Sequence, residues 1–152
     1  IDPNHVQGRL IIIPTLSMAA ALACKRCWPD TEYGSAGQNF NRTFPGEDTG
    51  GPATQLAYYV SHVLMPLVDV VLDIHTGGGS MHIEPSSLAK VNPENPRHRE
   101  RIEAMLAFLT PLSFVWTIPA HGEKTVGILT DEAVGQGKLV VETELGGGTY
   151  CP

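Results

Sequence analysis

Cysteine is scarce in this chain. Three thiols among 152 residues are an odd number, and they do not read as a disulfide framework. A reducing, cytoplasmic setting is the default reading. Basic residues are also few: Lys and Arg number 10 against 16 Asp and Glu, for a net charge of −6. No Lys/Arg run offers a stripe for phosphates, which argues against nucleic acid as the main partner. No apolar run approaches the ~18 residues that span a bilayer, so no membrane association is expected. A basic segment followed by an apolar one, the mark of a signal peptide, does not open the chain. Internal repeats and low-complexity tracts are absent. So is an initiator Met: the chain starts at Ile1 and stops at Cys151-Pro152, just past a glycine cluster. Both ends read as cuts through a larger protein.

What is present suits one domain with a real core, at 42% hydrophobic content. Arg9-Leu-Ile-Ile-Ile-Pro14 predicts a strand buried on both faces. Residues 15–51 are rich in Gly, Pro and Asn and predict a long irregular connection, a length that is uncommon without a function. Leu56, Val60, Val63, Leu64 and Leu67 recur at helical spacing over 52–67, with Pro52 in the first turn and Pro66 at the end. Val70 to His75 predicts a second strand. A loop follows, then a helix over 96–109 with Ile102, Met105, Leu106 and Leu109 on one face. Residues 113–118 predict a third strand, 130–135 a short helix with Thr130 as N-cap, and 138–144 a fourth strand. Alternating strands and helices indicate an α/β domain with a mostly parallel central sheet and flanking helices. Ligands of such sheets bind outside the carboxyl ends of the strands.

Two ionisable groups are predicted on that rim. His75 ends the run Asp69-Val-Val-Leu-Asp-Ile-His75 and opens into Gly77-Gly78-Gly79, where glycines let other groups approach. It is a candidate metal ligand or general base, and Asp73, on the same strand face, is a candidate partner for its ring. Glu144 likewise precedes Gly146-Gly147-Gly148. A carboxyl at the apolar end of a strand is expected to have a raised pKa, as suits proton transfer near neutrality. Glu142 shares its face, and spacing alone does not choose between them. Arg42, in Asn39-Phe-Asn-Arg-Thr-Phe44, has the planar fork that receives a carboxylate, with the Asn41 amide beside it. Cys24-Lys-Arg-Cys27 has a metal or redox spacing but no second pair, which favours incidental thiols. His5, His62 and His98 read as surface histidines. His82, His98 and His121 each begin a His-x-Glu in stretches predicted as loops or helix, and no His-x-x-Glu occurs anywhere.

Taken in order, Gly8-Arg-Leu-Ile-Ile-Ile-Pro14, Asn39-Phe-Asn-Arg-Thr-Phe-Pro-Gly46, Asp73-Ile-His-Thr-Gly-Gly78 and Thr143-Glu-Leu-Gly-Gly147 resemble the motifs of the succinylglutamate desuccinylase/aspartoacylase family. These are zinc-dependent deacylases of N-acyl amino acids on a zinc-carboxypeptidase-like core, and the resemblance is nearest to the N-acetyl-diaminobutyrate deacetylase branch. It implies that His75 is the third zinc ligand and Glu144 the base that activates the attacking water. It also implies that Asn41 and Arg42 bind the substrate carboxylate, with Arg26 as a further substrate arginine. The family's first two zinc ligands come from a His-x-x-Glu ahead of the Gly-Arg strand. Residues 1–152 are therefore expected to be a partial catalytic domain, without the segment that carries that motif and without the C-terminal β-rich domain, and inactive alone. The expected cofactor is Zn2+, and the expected partner a small N-acyl amino acid; homo-oligomer formation is left open. Two other readings stand beside this one. A metallocarboxypeptidase or peptidoglycan amidase shares the arrangement, and a non-catalytic module could keep the carboxylate pocket without the metal.

Overall fold

The computed structural model describes residues 2–29, 39–117 and 127–148. The end of the predicted third strand at Ile118, the histidine His121 and Gln38 lie outside the described residues. Four helices and four strands make up the described chain: α1 Met18–Leu22, α2 Pro52–Tyr59, β1 Val70–His75, β2 His82–Val91, α3 His98–Leu106, β3 Leu112–Thr117, α4 Leu129–Gly135 and β4 Leu139–Gly147. The sheet order is β1-β4-β2-β3. β1 runs parallel to β4 and β2 parallel to β3, while β2 and β4 pair antiparallel in the centre. No helix among the described residues is long and apolar enough to cross a membrane.

The predicted helix over 52–67 is continuous in path. Gly51 precedes it, Pro52 occupies the first turn, and α2 passes into a wider turn at Val60–Leu64 and a tight one at Met65–Leu67. Pro66 lacks the N–H that a further turn would need. Its apolar stripe supplies Ala57, Val60 and Met65 to a core with Phe44, Ala133 of α4 and Val140 of β4. Strand alternation puts Val140 on the same sheet face as Glu142 and Glu144. A second core lies on the opposite face, where α3 sets Met105 and Ile102 against Ala89 and Val91 of β2.

Three expectations need correction. Arg9–Pro14 forms no strand; Leu10 and Ile12 are 51% and 62% exposed. β-branched residues favour an extended backbone, but a strand also needs a neighbour for its N–H and C=O groups, and no described strand pairs with this run. β2 was absent from the sequence reading, which left its residues, His82 among them, in a loop. Pro85 and the serines beside it hid the strand. The register between β2 and β4 slips between Ile83 and Ser86, so Pro85 sits at an irregularity where no ladder donor is required. Thr130 is not the cap of α4. Ile128 holds that position, and Thr130 is buried, its hydroxyl receiving Lys90 Nζ at 3.3 Å. The stretch 15–51 also holds more order than expected, with α1 and a 3-10 turn at Phe40–Arg42.

Candidate functional site

The β1–β4 register builds the site. Asp73 lies opposite Glu142, and His75 opposite Glu144. Partners in parallel register project to one face, so four ionisable side chains form a block at the carboxyl ends of two strands. The strands are fastened just beyond it. Gly77 N–H donates to Gly146 O at 3.0 Å, and Gly148 N–H to Gly78 O at 2.8 Å. A Cβ on Gly77 would stand 2.7 Å from the Met81 carbonyl carbon, and one on Gly147 (φ +110°) 2.8 Å from Gly77 N. Gly77 thus admits the Met81 backbone, and Gly147 the backbones of Met81 and Gly77.

His75 is half-buried. Its Nε2 lies 3.0 Å from Asp73 Oδ2 and 3.4 Å from Asn41 Nδ2. A carboxylate accepts, so Nε2 carries the proton of that bond, and Nδ1 has no hydrogen-bond partner among the described residues. The bond to Asp73 raises the His75 pKa; burial opposes it, and the charges of Asp73, Glu142 and Glu144 add to it. Asn41 is fixed from behind: its Oδ1 accepts the Leu129 N–H at 2.7 Å. The amide NH2 must then face His75, and two donors facing each other stand at the long end of the range.

Glu144 is half-buried, and its Oε2 is buried with no hydrogen-bond partner among the described residues. A buried carboxylate oxygen without a donor is an acceptor held in reserve. The carboxyl that burial lifts in pKa is that of Glu142; Asp73 and Glu144 lift it further, while Lys90 and His75 act against them. Lys90 is engaged elsewhere, 3.0 Å from Asp131 Oδ1. It joins Leu88, Thr130, Val134, Val140 and Glu142 around a narrow pocket beneath the block.

The loop carrying Arg42 is held by its aromatic neighbours. Phe40 and Phe44 meet edge to face at 5.0 Å between ring centres, and both pack on the first core. Asn39 Oδ1 accepts the Asn41 N–H at 3.0 Å. Arg42 itself is exposed, and its Nη1 donates to the Asn41 carbonyl. Arg26 is exposed in the bend after α1, and no hydrogen bond or ion pair joins it to His75, Glu144 or Asn41 among the described residues. The structure therefore brings His75, Glu144 and Asn41 together.

Cys24 and Cys27 are free thiols. His62 is exposed and stacks on Tyr58 at 4.0 Å. His82 lies 3.9 Å from Glu84, both well exposed, and the His98 ring faces the Asn95 carbonyl. Among the described residues no three His, Cys, Asp or Glu side chains gather as a metal site. What fits a metal is one ligand: the His75 ring, pinned through Nε2 by Asp73, offers Nδ1, beside the unpartnered Glu144 oxygen. Sequence reasoning missed the hold of Leu129 on Asn41, since nothing in either stretch signals a bond across 88 residues.

The sequence model of the succinylglutamate desuccinylase/aspartoacylase catalytic domain matches residues 1–151. An N-alpha-acetyl-L-2,4-diaminobutyric acid deacetylase from Halomonas elongata is 38% identical over 146 residues, 95% of this chain and 40% of the relative. The product-bound structure of an ectoine utilization protein from Ruegeria pomeroyi superposes with a TM-score of 0.82 at 31% identity, covering 96% of this chain and 41% of that one. A succinylglutamate desuccinylase/aspartoacylase structure from Rhodobacter sphaeroides gives 0.80 at 29% identity, over 95% and 40% of the two chains. The chain thus spans about 40% of the length of these relatives.

Proposed function

The chain belongs to the succinylglutamate desuccinylase/aspartoacylase catalytic-domain family, and from that premise we propose that the whole protein hydrolyses the amide bond of an N-acyl amino acid. N-acetyl-2,4-diaminobutyrate, named for the Halomonas relative, is the first substrate to test. The observation that carries the reading is the in-register pair His75 and Glu144, with one Glu144 oxygen buried and unpartnered.

In this reading His75 Nδ1 is one ligand of a zinc ion, the ring held in place by Asp73, and the other ligands come from outside the described residues. When bound, zinc lowers the pKa of a water and polarises the acyl carbonyl. Glu144 takes the proton of the attacking water on its carboxylate. It passes that proton to the leaving amine, so that the C–N bond breaks as an amine departs rather than an amide anion. Arg42 receives the substrate carboxylate through its guanidinium fork, and the Asn41 NH2, turned inward by Leu129, adds a donor at the same edge. Arg26, exposed and free of the block, completes the carboxylate site only if the substrate reaches it.

The test is the purified full-length protein, assayed for bound metal and for release of amine from N-acetyl-2,4-diaminobutyrate, N-succinylglutamate, N-acetylaspartate and C-terminal peptides. Glu144→Gln is expected to lower kcat by about 10²–10⁴ while metal content stays. His75→Ala is expected to lose the metal as well. Turnover of peptides alone would move the protein to the carboxypeptidase reading, and full activity of Glu144→Gln would remove Glu144 as the base.

A further inference from the structure

We propose that Gly127 is a specificity-determining positioning residue, which sets where the Arg42 guanidinium stands and so how the substrate carboxylate is received. The inference rests on the role given to Arg42 above and extends it to a residue outside the block.

Gly127 lies just ahead of α4 with φ +72°. A Cβ built on it would stand 2.6 Å from the Arg42 carbonyl carbon and 3.1 Å from Thr43 N. Backbone meets backbone here, and only glycine allows both the approach and the conformation. Two hydrogen bonds flank the contact. Phe44 N–H donates to Gly127 O at 3.0 Å, and Leu129 N–H donates to Asn41 Oδ1 at 2.7 Å. Gly127 and Leu129 therefore hold Asn41, Arg42 and Phe44 together.

The Arg42 side chain has no such hold. It is exposed, and its hydrogen bond runs to the carbonyl of the preceding residue. Among the described residues only the Arg42 backbone sets the point from which the guanidinium reaches, and that backbone is fixed by Phe40 and Phe44 in the core and by Gly127 against its carbonyl. A methyl group at 127 enters only if the Arg42–Thr43 peptide moves. Two parallel bonds to a carboxylate tolerate little displacement of the fork. The chemistry at His75 and Glu144 is on β1 and β4, which this loop meets through the Asn41 amide, 3.4 Å from His75 Nε2.

The experiment uses the full-length protein. Wild type, Gly127→Ala and Leu129→Pro are assayed on an N-acyl amino acid and on its carboxamide, which keeps the scissile amide and lacks the carboxylate. Leu129→Pro is the second variant in case Gly127→Ala does not fold: it removes the N–H that Asn41 accepts. Leu129 is the first helical position, and Ile128 (φ −94°, ψ 148°) already has the extended backbone that precedes a proline. KM for the acid is expected to rise about tenfold or more with kcat within about threefold, and kcat/KM for the carboxamide to stay as in wild type. An unchanged KM in folded variants overturns the inference. So does an equal loss on acid and carboxamide, and so does loss of folding in both variants, since the contact would then serve the fold at large. A wild type inert on both compounds defeats the functional reading itself, whereas an active wild type with unaffected variants defeats only this inference.

Discussion

The two faces of the sheet are finished differently. On the face of Val140, Glu142 and Glu144, α2, α4 and the Asn41 loop close over an apolar core; Asp73, Asn41 and Lys90 have partners there, while Glu144 Oε2 and Asp131 Oδ2 are buried without one among the described residues. On the opposite face α3 packs mainly on β2 and β4. Val70, Leu72 and Ile74 of the edge strand β1 remain 53%, 43% and 60% exposed. Beneath α3 the Arg101 side chain is buried, yet among the described residues its Nε and Nη1 have no partner, and neither does Thr143 Oγ1 on the same face. Burial lowers the Arg101 pKa, with the nearby Arg97 charge adding and Glu100 opposing. A buried guanidinium without an acceptor is among the costlier arrangements a fold can hold. The first face is therefore closed over an apolar core by these residues. The second has apolar area and donors that these residues do not use.

Neighbouring positions on β1 test that contrast most sharply. Val71 packs on the first core, and Leu72 points the other way. Val71→Asp should cost on the order of 3–5 kcal/mol or abolish folding, because it buries an unpaired charge. Leu72→Asp should cost within about 1 kcal/mol if its face is open in solution. Urea denaturation of the two variants of the full-length protein reads both numbers; an equal loss would show that the second face is covered there. A smaller effect, of opposite sign, is expected at Arg101. Replacing the unpartnered guanidinium by methionine should stabilise by about 1–3 kcal/mol, and a destabilised Arg101→Met would reveal an acceptor that reaches it.

The smallest effect concerns pH. Burial lifts the Glu142 pKa above its ordinary 4.5, so the folded state keeps that proton to higher pH than the unfolded one does. Stability from this group then falls as pH rises through the interval between the two values. Glu142→Gln removes the fall. Melting temperatures of variant and wild type should converge near pH 4 and separate in favour of the variant near pH 7; separation at the acidic end would reverse the assignment. Hydrolysis by Glu142→Gln is expected to stay close to wild type.

Much of the closed face was legible in sequence. Period-3.6 spacing gave the helical path from Pro52, and apolar runs ending in His75 and near Glu144 gave two strands with a shared rim. Alternation alone put Asp73 with His75, and Glu142 with Glu144. The side-by-side register of the two strands was not legible, because nothing local specifies which strand neighbours which. β2 stayed hidden for a similar reason: Pro85, Ser86 and Ser87 argue against a strand, and only pairing with β4 on one side and β3 on the other overrides them. Arg9–Pro14 failed in the opposite direction, with strong propensity and no neighbour. Burial raises the Glu142 carboxyl, one pair deeper under the rim, which strand alternation alone did not single out.

The parallel pairing of β1 with β4 also fixes when the site can exist. β1 is the first strand of this sheet in chain order and β4 the last. During synthesis His75 leaves the ribosome long before Glu144, and β2, α3, β3 and α4 all emerge in between. Until Leu139–Gly147 arrives, β1 and β2 have no strand between them and the glycine fastening beyond the rim cannot close. Contacts so distant in sequence form slowly. A nascent chain that stalls before Leu139 therefore carries no half-built catalytic block, only a histidine and an aspartate on an unpaired strand. A central strand of the sheet and the proposed catalytic carboxylate therefore arrive together.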